Sequence, residues 1–160
     1  MKHCKTRYDS PLGPLILVAD HEHLLEIQLE DNNPNTVLDP PTPPIQKTIL
    51  WLNDYFAGKV PSPEALQIRL GGTAFQQEVW DCLRQIPYGQ TVTYGQIAAD
   101  IAKHRGIRRM SAQAVGQAVG ANSIPIVIPC HRVVGSNGEL IGYSSGLVRK
   151  QWLLMHEAIK

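Results

Sequence analysis

The sequence has few cysteines, almost no net charge and no long apolar run, and each of these features argues against a class of protein. Its three cysteines are widely separated and odd in number, which argues against a disulfide framework and favours free thiols in a reducing compartment. No apolar run approaches the roughly 18 to 20 residues that span a bilayer. The first residues also lack the apolar stretch of a secretion signal. We therefore expect a cytoplasmic (or nuclear) protein without membrane contact.

The composition is that of a globular chain, and its small net charge conceals an asymmetry. Hydrophobic residues make up 43% and charged residues 18%, and the formal net charge is +1. Residues 1–72 carry six basic and nine acidic side chains, whereas residues 73–160 carry nine basic and five acidic ones. The densest basic patch spans residues 103–109. Such a patch is typical either of a nucleic-acid surface or of a solvated loop.

The first residues have the pattern of a small antiparallel sheet. Residues 9–14 contain two prolines and a glycine and predict a turn. Residues 15–19 are an apolar run of strand length. Beyond them Leu25, Ile27 and Leu29 alternate with polar side chains, which predicts a second strand with one buried face. Together these segments predict an antiparallel hairpin.

A loop and a helix complete the first half. Residues 31–44 are rich in Asn, Pro and Thr, a composition that cannot continue a sheet or a helix. Apolar residues at helical spacing over 45–57 predict a helix that stops at Gly58. We assign residues 1–72 to an N-terminal α+β domain with a small antiparallel sheet, and residues 73–160 to a mainly helical C-terminal domain.

The second half is predicted to contain three helices before its central motif. Thr73 and Thr93 are each followed three residues later by glutamine, the capping-box pattern of a helix start, and Ser111 can cap a third helix. The predicted helices cover 75–86, 93 to about 103, and 112 to about 119. The last two are short and joined by a basic connection, which is the pattern of a helix-turn-helix, although many helical pairs have no DNA role.

The remaining segments alternate short strands and turns before a final helix. Residues 126–128 predict a short buried strand that Pro129 ends, and residues 135–138 predict a hairpin-type turn. A last helix is predicted from Gly146 onward. Its apolar surface is expected to come from Leu147, Trp152, Leu154 and Ile159.

The most informative stretch is centred on Cys130, which is followed by His131 and Arg132. A thiol beside an imidazole and a guanidinium lies in an electropositive setting, where we expect the cysteine pKa to fall and thiolate to accumulate. Pro125 and Pro129 bracket the predicted strand and restrict the backbone before the nucleophile. A buried structural cysteine is the alternative interpretation of a Cys-His pair alone.

Several motifs make the chain similar to a known family. They are PCHRV at 129–133, GYSSG at 142–146, KQWLLMHE at 150–157 and TYGQIA at 93–98, with a weaker match at 9–13. In this combination the chain resembles the O6-alkylguanine-DNA alkyltransferases, the methylated-DNA–protein-cysteine S-methyltransferase family. The resemblance implies a ribonuclease H-like first domain and a second domain that binds DNA. It also implies DNA repair by one irreversible alkyl transfer per molecule, without a cofactor.

The resemblance implies a role for each candidate catalytic residue. Cys130 would be the nucleophile that takes the alkyl group from guanine O6, with His131 removing its proton through a bound water and Glu157 orienting the imidazole. Asn122 matches the family asparagine that organises the turn beside the nucleophile. Tyr94 matches the tyrosine that serves a ring nitrogen of the departing guanine.

A base pocket and a DNA-binding helix are implied in the same way. The backbone at Ser144 would donate to O6, the carbonyls of Cys130 and Val133 would read the exocyclic amine, and Tyr143 would wall the pocket. The guanine must be flipped out of the stack to reach it. The second helix of the pair would enter the minor groove of double-stranded DNA. The expected DNA contacts are Arg108, Arg109, Ser111, Ala112, Gln113, Ala114, Gly116 and Arg132.

The chain departs from the family pattern on that helix. Many relatives have an arginine that fills the gap left by the flipped base, and Gln113 stands there in this sequence. A glutamine can hydrogen-bond the orphaned cytosine but brings no charge. Arg108 and Arg109, just before the helix, could compensate electrostatically.

No metal is expected, and the oligomeric state is expected to be monomeric. His3, Cys4, His21 and His23 form the one Cys/His concentration in the first half, and their spacing does not match the zinc ligand set of some relatives. Two other functions fit less of the pattern: a lesion-binding protein without transfer, which would lack the cysteine, and a cysteine hydrolase, for which there is no oxyanion signature. The motifs leave open the range of alkyl groups and the acceptance of O4-alkylthymine.

Overall fold

The computed structural model of the protein describes residues 3–29, 37–141 and 146–158. Within these residues the chain forms two compact units, the first extending to Leu70 and the second beginning at Gly71. The first combines a three-stranded antiparallel sheet with an α-helix and the second is mainly helical, as the predicted α+β class requires. Across the described ranges, no helix has the length and apolar character needed to cross a membrane.

The sheet of the first unit consists of β1 (Cys4–Ser10), β2 (Gly13–Ala19) and β3 (Leu24–Gln28). Neighbouring strands pair antiparallel in the order β1-β2-β3, which confirms the predicted hairpin of β2 and β3. The predicted turn joins β1 to β2, and Gly13 adopts a φ of +99° that L side chains rarely take. The sequence pattern does not indicate β1, because it is an edge strand with few apolar residues.

The buried face of β3 differs from the predicted alternation. Leu24 and Ile27 are buried, whereas Leu25 is only half-buried. The reason is a β-bulge, because Ala19 pairs with Leu24 while Val18 pairs with Glu26, so Leu25 is the extra residue. Such a bulge cannot be predicted from the alternation of apolar and polar residues along the strand.

Helix α1 (Pro43–Phe56) packs on the sheet through a face that includes Ile45 and Leu52. It begins two residues before the predicted start at 45, because proline is well tolerated in the first turn of a helix. The Trp51 indole N–H donates to the carbonyl of Ser62 at 2.8 Å, which ties the end of the helix to the following segment. A 3-10 turn follows at Pro63–Ala65.

The second unit begins with α2 (Ala74–Arg84), which is followed by α3 (Tyr94–Arg105). Both predicted capping boxes are present, because the hydroxyls of Thr73 and Thr93 accept the third helical N–H and the glutamine there reaches back to the threonine N–H. Gly106 ends α3 in the left-handed region. The sequence therefore determines these helix boundaries locally.

Helix α4 (Ala112–Gly120) is capped by the Ser111 hydroxyl, which accepts the N–H of Ala114 at 3.1 Å. It packs against α3, and the two form the helix-turn-helix pair that the sequence predicted. The indole of Trp80 on α2 donates to the carbonyl of Ala118 at 2.8 Å, so the pair is fixed to the core.

The predicted strand at residues 126–128 is wrong. The segment folds into a compact buried turn in which Val127 N–H donates to Pro125 and Ile128 N–H donates to Ile124, at 2.9 and 3.0 Å. Ile126 has a φ of +73°, which a strand does not allow. Backbone groups of this turn hydrogen-bond to each other. The segment can therefore be buried without pairing with a strand.

A small parallel ladder and a final helix complete the unit. Strands β4 (Val92–Thr93) and β5 (Val133–Val134) pair in parallel. The predicted turn follows β5, and Gly138 N–H donates to Gly135 there at 2.9 Å.

Helix α5 (Leu147–Ala158) starts where it was predicted, but it buries a different face. Its buried residues are Lys150, Leu153 and Glu157, whereas Leu147 is 47% exposed and Trp152 and Leu154 are half-buried. Ile159 lies outside the described residues. Hydrophobicity alone predicts the wrong face because two of the three buried side chains are charged.

Candidate active site

Cys130 lies at the start of a 3-10 helix, Cys130–Arg132, and its side chain is 7% exposed. The preceding compact turn presents it, since Cys130 N–H donates to Ile128 at 2.7 Å. The side chain of Asn122 fixes this turn at two points. Its Nδ2 donates to the Ile128 carbonyl at 3.0 Å and its Oδ1 accepts the N–H of Ile124 at 3.0 Å. Asn122 therefore holds the turn that leads into Cys130.

His131 and Glu157 form a buried hydrogen-bonded pair. The Nε2 of His131 lies 2.6 Å from Oε2 of Glu157, and both side chains are at most 1% exposed. The Nδ1 of His131 has no hydrogen-bond partner within the described ranges. Burial lowers the pKa of His131, which favours the neutral imidazole. With a carboxylate at Nε2, the proton resides there and Nδ1 keeps its lone pair.

Arg132 is placed differently from the sequence expectation, which gave it a role in DNA binding. It is 7% exposed, its Nε and Nη2 donate to Glu157 at 2.8 and 3.1 Å, and its Nη1 donates to the Ile86 carbonyl at 2.8 Å. The guanidinium also lies 5.6 Å from the Tyr88 ring centre. Because its donors are occupied inside the unit, Arg132 holds Glu157 and does not provide a surface charge.

The Glu157 carboxylate remains ionised in this network. Burial would raise its pKa, but hydrogen bonds from His131 and Arg132 outweigh burial and hold the pKa well below its usual range. The N–H of Gly89 also donates to Glu157, at 3.1 Å. Gly89 has a φ of +80°, and a Cβ there would lie 3.3 Å from the Glu157 carbonyl oxygen. The sequence predicts a turn at residues 87–89 between α2 and β4, but it gives no sign that this turn supports Glu157.

The expected low pKa of the Cys130 thiol is not observed. Burial raises that pKa, and hydrogen bonding to Asn122 with the charge of Lys150 offsets only part of the rise. Arg132, which was expected to favour the thiolate, has its charge compensated by Glu157. The resting group is therefore a thiol, which requires a base before it can act as a nucleophile.

Tyr94 and Lys150 meet at one backbone carbonyl. The Tyr94 hydroxyl donates to the Ile141 carbonyl at 3.0 Å, and the Lys150 ammonium donates to the same oxygen at 2.7 Å. Lys150 also donates to the carbonyl of Val133. Burial and the proximity of Cys130 raise the pKa of Tyr94, so its hydroxyl keeps its proton. Sequence reasoning missed Lys150; its signal is the seven-residue spacing to Glu157, which places both on one helix face.

The base pocket is described only in part. Val133 is buried, and its carbonyl, expected to read the guanine amine, accepts from Lys150. Tyr143 and Ser144 lie outside the described residues.

A groove of about 580 Å³ borders Tyr94 and runs along the exposed side of α4. Three of the expected DNA contacts line it: Ala112, Gln113 and Gly116. Ser111 acts as the helix cap, and Ala114 is half-buried beside it. Arg108 and Arg109 are exposed and line a second groove between α3 and the start of α4. The two grooves share Gly95 and Ala112, so the basic patch adjoins the exposed face of α4.

One histidine of the first unit lies beside an acidic side chain. His23 lies 3.6 Å from the buried carboxylate of Asp20, which also contacts Arg69. Among residues 3–29, 37–141 and 146–158, no group of three or more His, Cys, Asp or Glu could hold a metal ion.

Two family models match the chain, one to each unit. Residues 4–70 match the ribonuclease-like domain of 6-O-methylguanine DNA methyltransferase, and residues 74–159 match its DNA binding domain. The chain is 41% identical to the methylated-DNA–protein-cysteine methyltransferase of Salmonella typhimurium, with 92% of this chain and 91% of that protein covered. The protein of the same name from Mycobacterium leprae is 42% identical, with 96% and 91% covered.

Solved structures give the same result. The crystal structure of Mycobacterium tuberculosis O6-methylguanine methyltransferase has a TM-score of 0.82 and 38% identity, covering 98% of this chain and 93% of that one. The structure of Mycobacterium tuberculosis OGT in complex with DNA has a TM-score of 0.81 and 40% identity, covering 96% and 92%. This chain belongs to the 6-O-methylguanine DNA methyltransferase family.

Proposed function

We propose that this protein repairs DNA by moving the alkyl group of O6-alkylguanine to Cys130. The observation that carries the proposal is the buried His131–Glu157 pair beside Cys130, which leaves the Nδ1 of His131 unpaired within the described ranges. The names of the relatives support the same substrate class.

His131 and Glu157 prepare the nucleophile. The Nε2–H of His131 donates to the Glu157 carboxylate, which leaves Nδ1 without a proton. Nδ1 can therefore accept the thiol proton of Cys130, directly or through one water. The imidazolium that forms faces an ionised carboxylate, which stabilises it. This arrangement compensates for the raised pKa of the buried thiol.

The transfer step is an in-line displacement at the alkyl carbon. The Cys130 sulfur forms a bond to that carbon as the carbon–O6 bond breaks, and the electron pair of the broken bond moves into the purine. Tyr94 donates its hydroxyl proton to a ring nitrogen, so guanine leaves as a neutral base. The thiol proton held on His131 returns through solvent to Tyr94, and the proton count balances.

The DNA is bound through the minor groove by α4, with the guanine flipped into the site. The small residues Ala112 and Gly116 line the groove beside Tyr94 and allow close approach of a sugar-phosphate backbone. Gln113, exposed on the same helix, takes the position of the flipped base, and Arg108 with Arg109 contacts phosphates.

Each molecule acts once. The product is a thioether, which offers water no activated carbonyl, so Cys130 is not regenerated. We propose that the protein works as a monomer in the cytoplasm.

Mass spectrometry tests the proposal. After incubation with a duplex containing O6-methylguanine, the peptide with Cys130 gains about 14 Da, one methyl group, and the yield stops at one per protein. Cys130→Ser abolishes the adduct, whereas Cys82→Ser, which alters a half-buried thiol elsewhere in the unit, leaves it unchanged. Repeated turnover, or no adduct on Cys130, would contradict the proposal. A duplex with O4-methylthymine in the same assay measures the second substrate.

A further inference from the structure

Lys150 is a fully buried lysine that the proposed reaction does not yet use. Its side chain is 0% exposed, and its ammonium donates to the carbonyls of Val133 and Ile141. Burial lowers the pKa of Lys150, and the neighbouring Cys130 acts in the opposite direction. Burying an ammonium group is costly unless its donors are satisfied, and α5 could bury an apolar residue there with less penalty.

The ammonium also lies beside Tyr94. It is 5.8 Å from the ring centre, and it shares the Ile141 carbonyl with the Tyr94 hydroxyl. The hydroxyl is therefore engaged as a donor to the protein at 3.0 Å, and the proposed reaction needs that same proton for the purine. Tyr94 must exchange one acceptor for the other before the alkyl group moves.

We propose that Lys150 is a positioning residue that makes this exchange possible. It keeps the Ile141 carbonyl hydrogen-bonded when the Tyr94 hydroxyl turns to the purine nitrogen, and its positive charge lies beside the oxygen from which Tyr94 gives up its proton. The inference rests on the proposed function, because it assigns Lys150 a role only through the proton that Tyr94 donates. No bond to Lys150 forms or breaks, and it keeps its own protons throughout.

Two geometric features support this role over that of a simple anchor. If Lys150 only anchored α5 to β5, a hydrogen bond to the Val133 carbonyl would be enough. Its ammonium also donates to the Ile141 carbonyl, which accepts the Tyr94 hydroxyl. Tyr94 also lies close to α4, since a Cβ at Gly116 would lie 3.7 Å from its ring. The ring therefore packs near α4, and the hydroxyl is the part left to change its partner.

A double-mutant cycle on single-turnover transfer tests the proposal. Tyr94→Phe and Lys150→Met are each expected to slow methyl transfer from an O6-methylguanine duplex at least tenfold. The double variant is expected to be no more than about twofold slower than Tyr94→Phe, because the two residues act through one proton. Lys47→Met, a change of an exposed lysine on α1, is the matched control and leaves the rate unchanged.

A second reagent separates the leaving group from the nucleophile. Alkylation of Cys130 by iodoacetamide expels iodide, which needs no proton. Lys150→Met is therefore expected to slow that reaction only through the lost charge near the thiol, clearly less than it slows methyl transfer, and this smaller loss is divided out of the cycle. Additive losses in the cycle, or an equal loss with iodoacetamide, would overturn the proposal. If Lys150→Met does not fold, Lys150→Gln enters the same cycle. It keeps an N–H donor but no charge, so a smaller loss is expected, and that loss should again be absent in the Tyr94→Phe background. Absence of any adduct in the unaltered protein would instead refute the proposed function.

Discussion

The Nε2 of His131 and the Oε2 of Glu157 are 2.6 Å apart in the interior of the second unit, where neither side chain is more than 1% exposed. The pair joins the 3-10 helix that begins at Cys130 to the last turn of α5. The Arg132 guanidinium and the N–H of Gly89 also donate hydrogen bonds to the Glu157 carboxylate. Stability and chemistry therefore depend on the same few hydrogen bonds.

Replacing the carboxylate should damage both properties. Glu157→Gln removes the charge that balances Arg132 and allows the wrong tautomer of His131. We expect a loss of about 3 to 5 kcal/mol in the free energy of unfolding and a transfer rate on the order of 100-fold lower. Denaturant unfolding and single-turnover kinetics measure the two effects. Asp9→Asn, which breaks the exposed ion pair with Arg7, is the control and should cost less than about 1 kcal/mol. Equal effects of the two substitutions would contradict the account.

The same pair should make the second unit sensitive to acid. The pKa values of His131 and Glu157 are both lowered in the folded protein, so the unfolded chain binds more protons as the pH falls. Stability is complete above the ordinary histidine pKa near 6.5 and declines below it, with a further loss below the ordinary carboxyl range, near 4.5. Denaturation between pH 8 and 4, followed by the fluorescence of Trp80 and Trp152 in a Trp51→Phe background, measures this. His131→Gln should remove the part of the decline that begins near pH 6.5, and an unchanged profile would disprove its origin.

The two exposed arginines before α4 should control the salt dependence of DNA binding. An Arg108→Ala, Arg109→Ala double variant loses two phosphate contacts, so we expect the slope of log K against log salt to become shallower by about 2. Titration of a lesion-free duplex over a salt series measures the slope. Methyl transfer to Cys130 at saturating DNA should stay within a few-fold.

Arg132 is expected to behave differently from Arg108 and Arg109. Because its guanidinium is buried against Glu157, Arg132→Met should lower stability and the transfer rate while leaving the salt slope unchanged. A shallower slope for Arg132→Met would show that Arg132 contacts DNA. An unaltered slope for the double variant would show that Arg108 and Arg109 do not contact phosphates.

Asn122 should be needed for the shape of the turn that precedes the nucleophile. Asn122→Ala leaves the buried Ile124 N–H and Ile128 carbonyl without their side-chain partner, which we expect to cost about 2 kcal/mol. Asn122→Asp keeps the acceptor for Ile124 but loses the donor to Ile128. Chemical denaturation should place both variants below the unaltered protein. Iodoacetamide should label Cys130 slowest in Asn122→Asp, because a buried carboxylate there faces the Ile128 carbonyl and the thiolate. The same stability for all three would show that packing alone holds the turn.

The parts of the fold that sequence predicted well are those with local causes. The capping boxes at Thr73 and Thr93 and the serine cap of α4 lie within a few residues of the helices they start, so each boundary could be predicted from a short window. The predicted strand at 126–128 failed because the same apolar composition suits a buried turn. Only the hydrogen bonds within 124–128 and the side chain of Asn122 distinguish the two.

The candidate site divides in the same way. The motif around Cys130 predicted the nucleophile, the imidazole and the distant Glu157 through a family resemblance. The partner of Arg132 and the role of Lys150 were out of reach, because hydrophobic periodicity treats a charged side chain as exposed. In the structure both are buried, each with its donors satisfied.

The sequence by itself determined the helix starts, the basic character of the second half and the residue types that carry the chemistry. These follow from local hydrogen bonding, from composition and from the Cys130–His131 pair. Only the tertiary structure decided which charges lie inside. Burial raises the pKa of the Cys130 thiol, pairing makes Arg132 a support for Glu157, and a shared carbonyl joins Lys150 to Tyr94. Such effects depend on distance and desolvation, which arise when segments far apart in the chain meet.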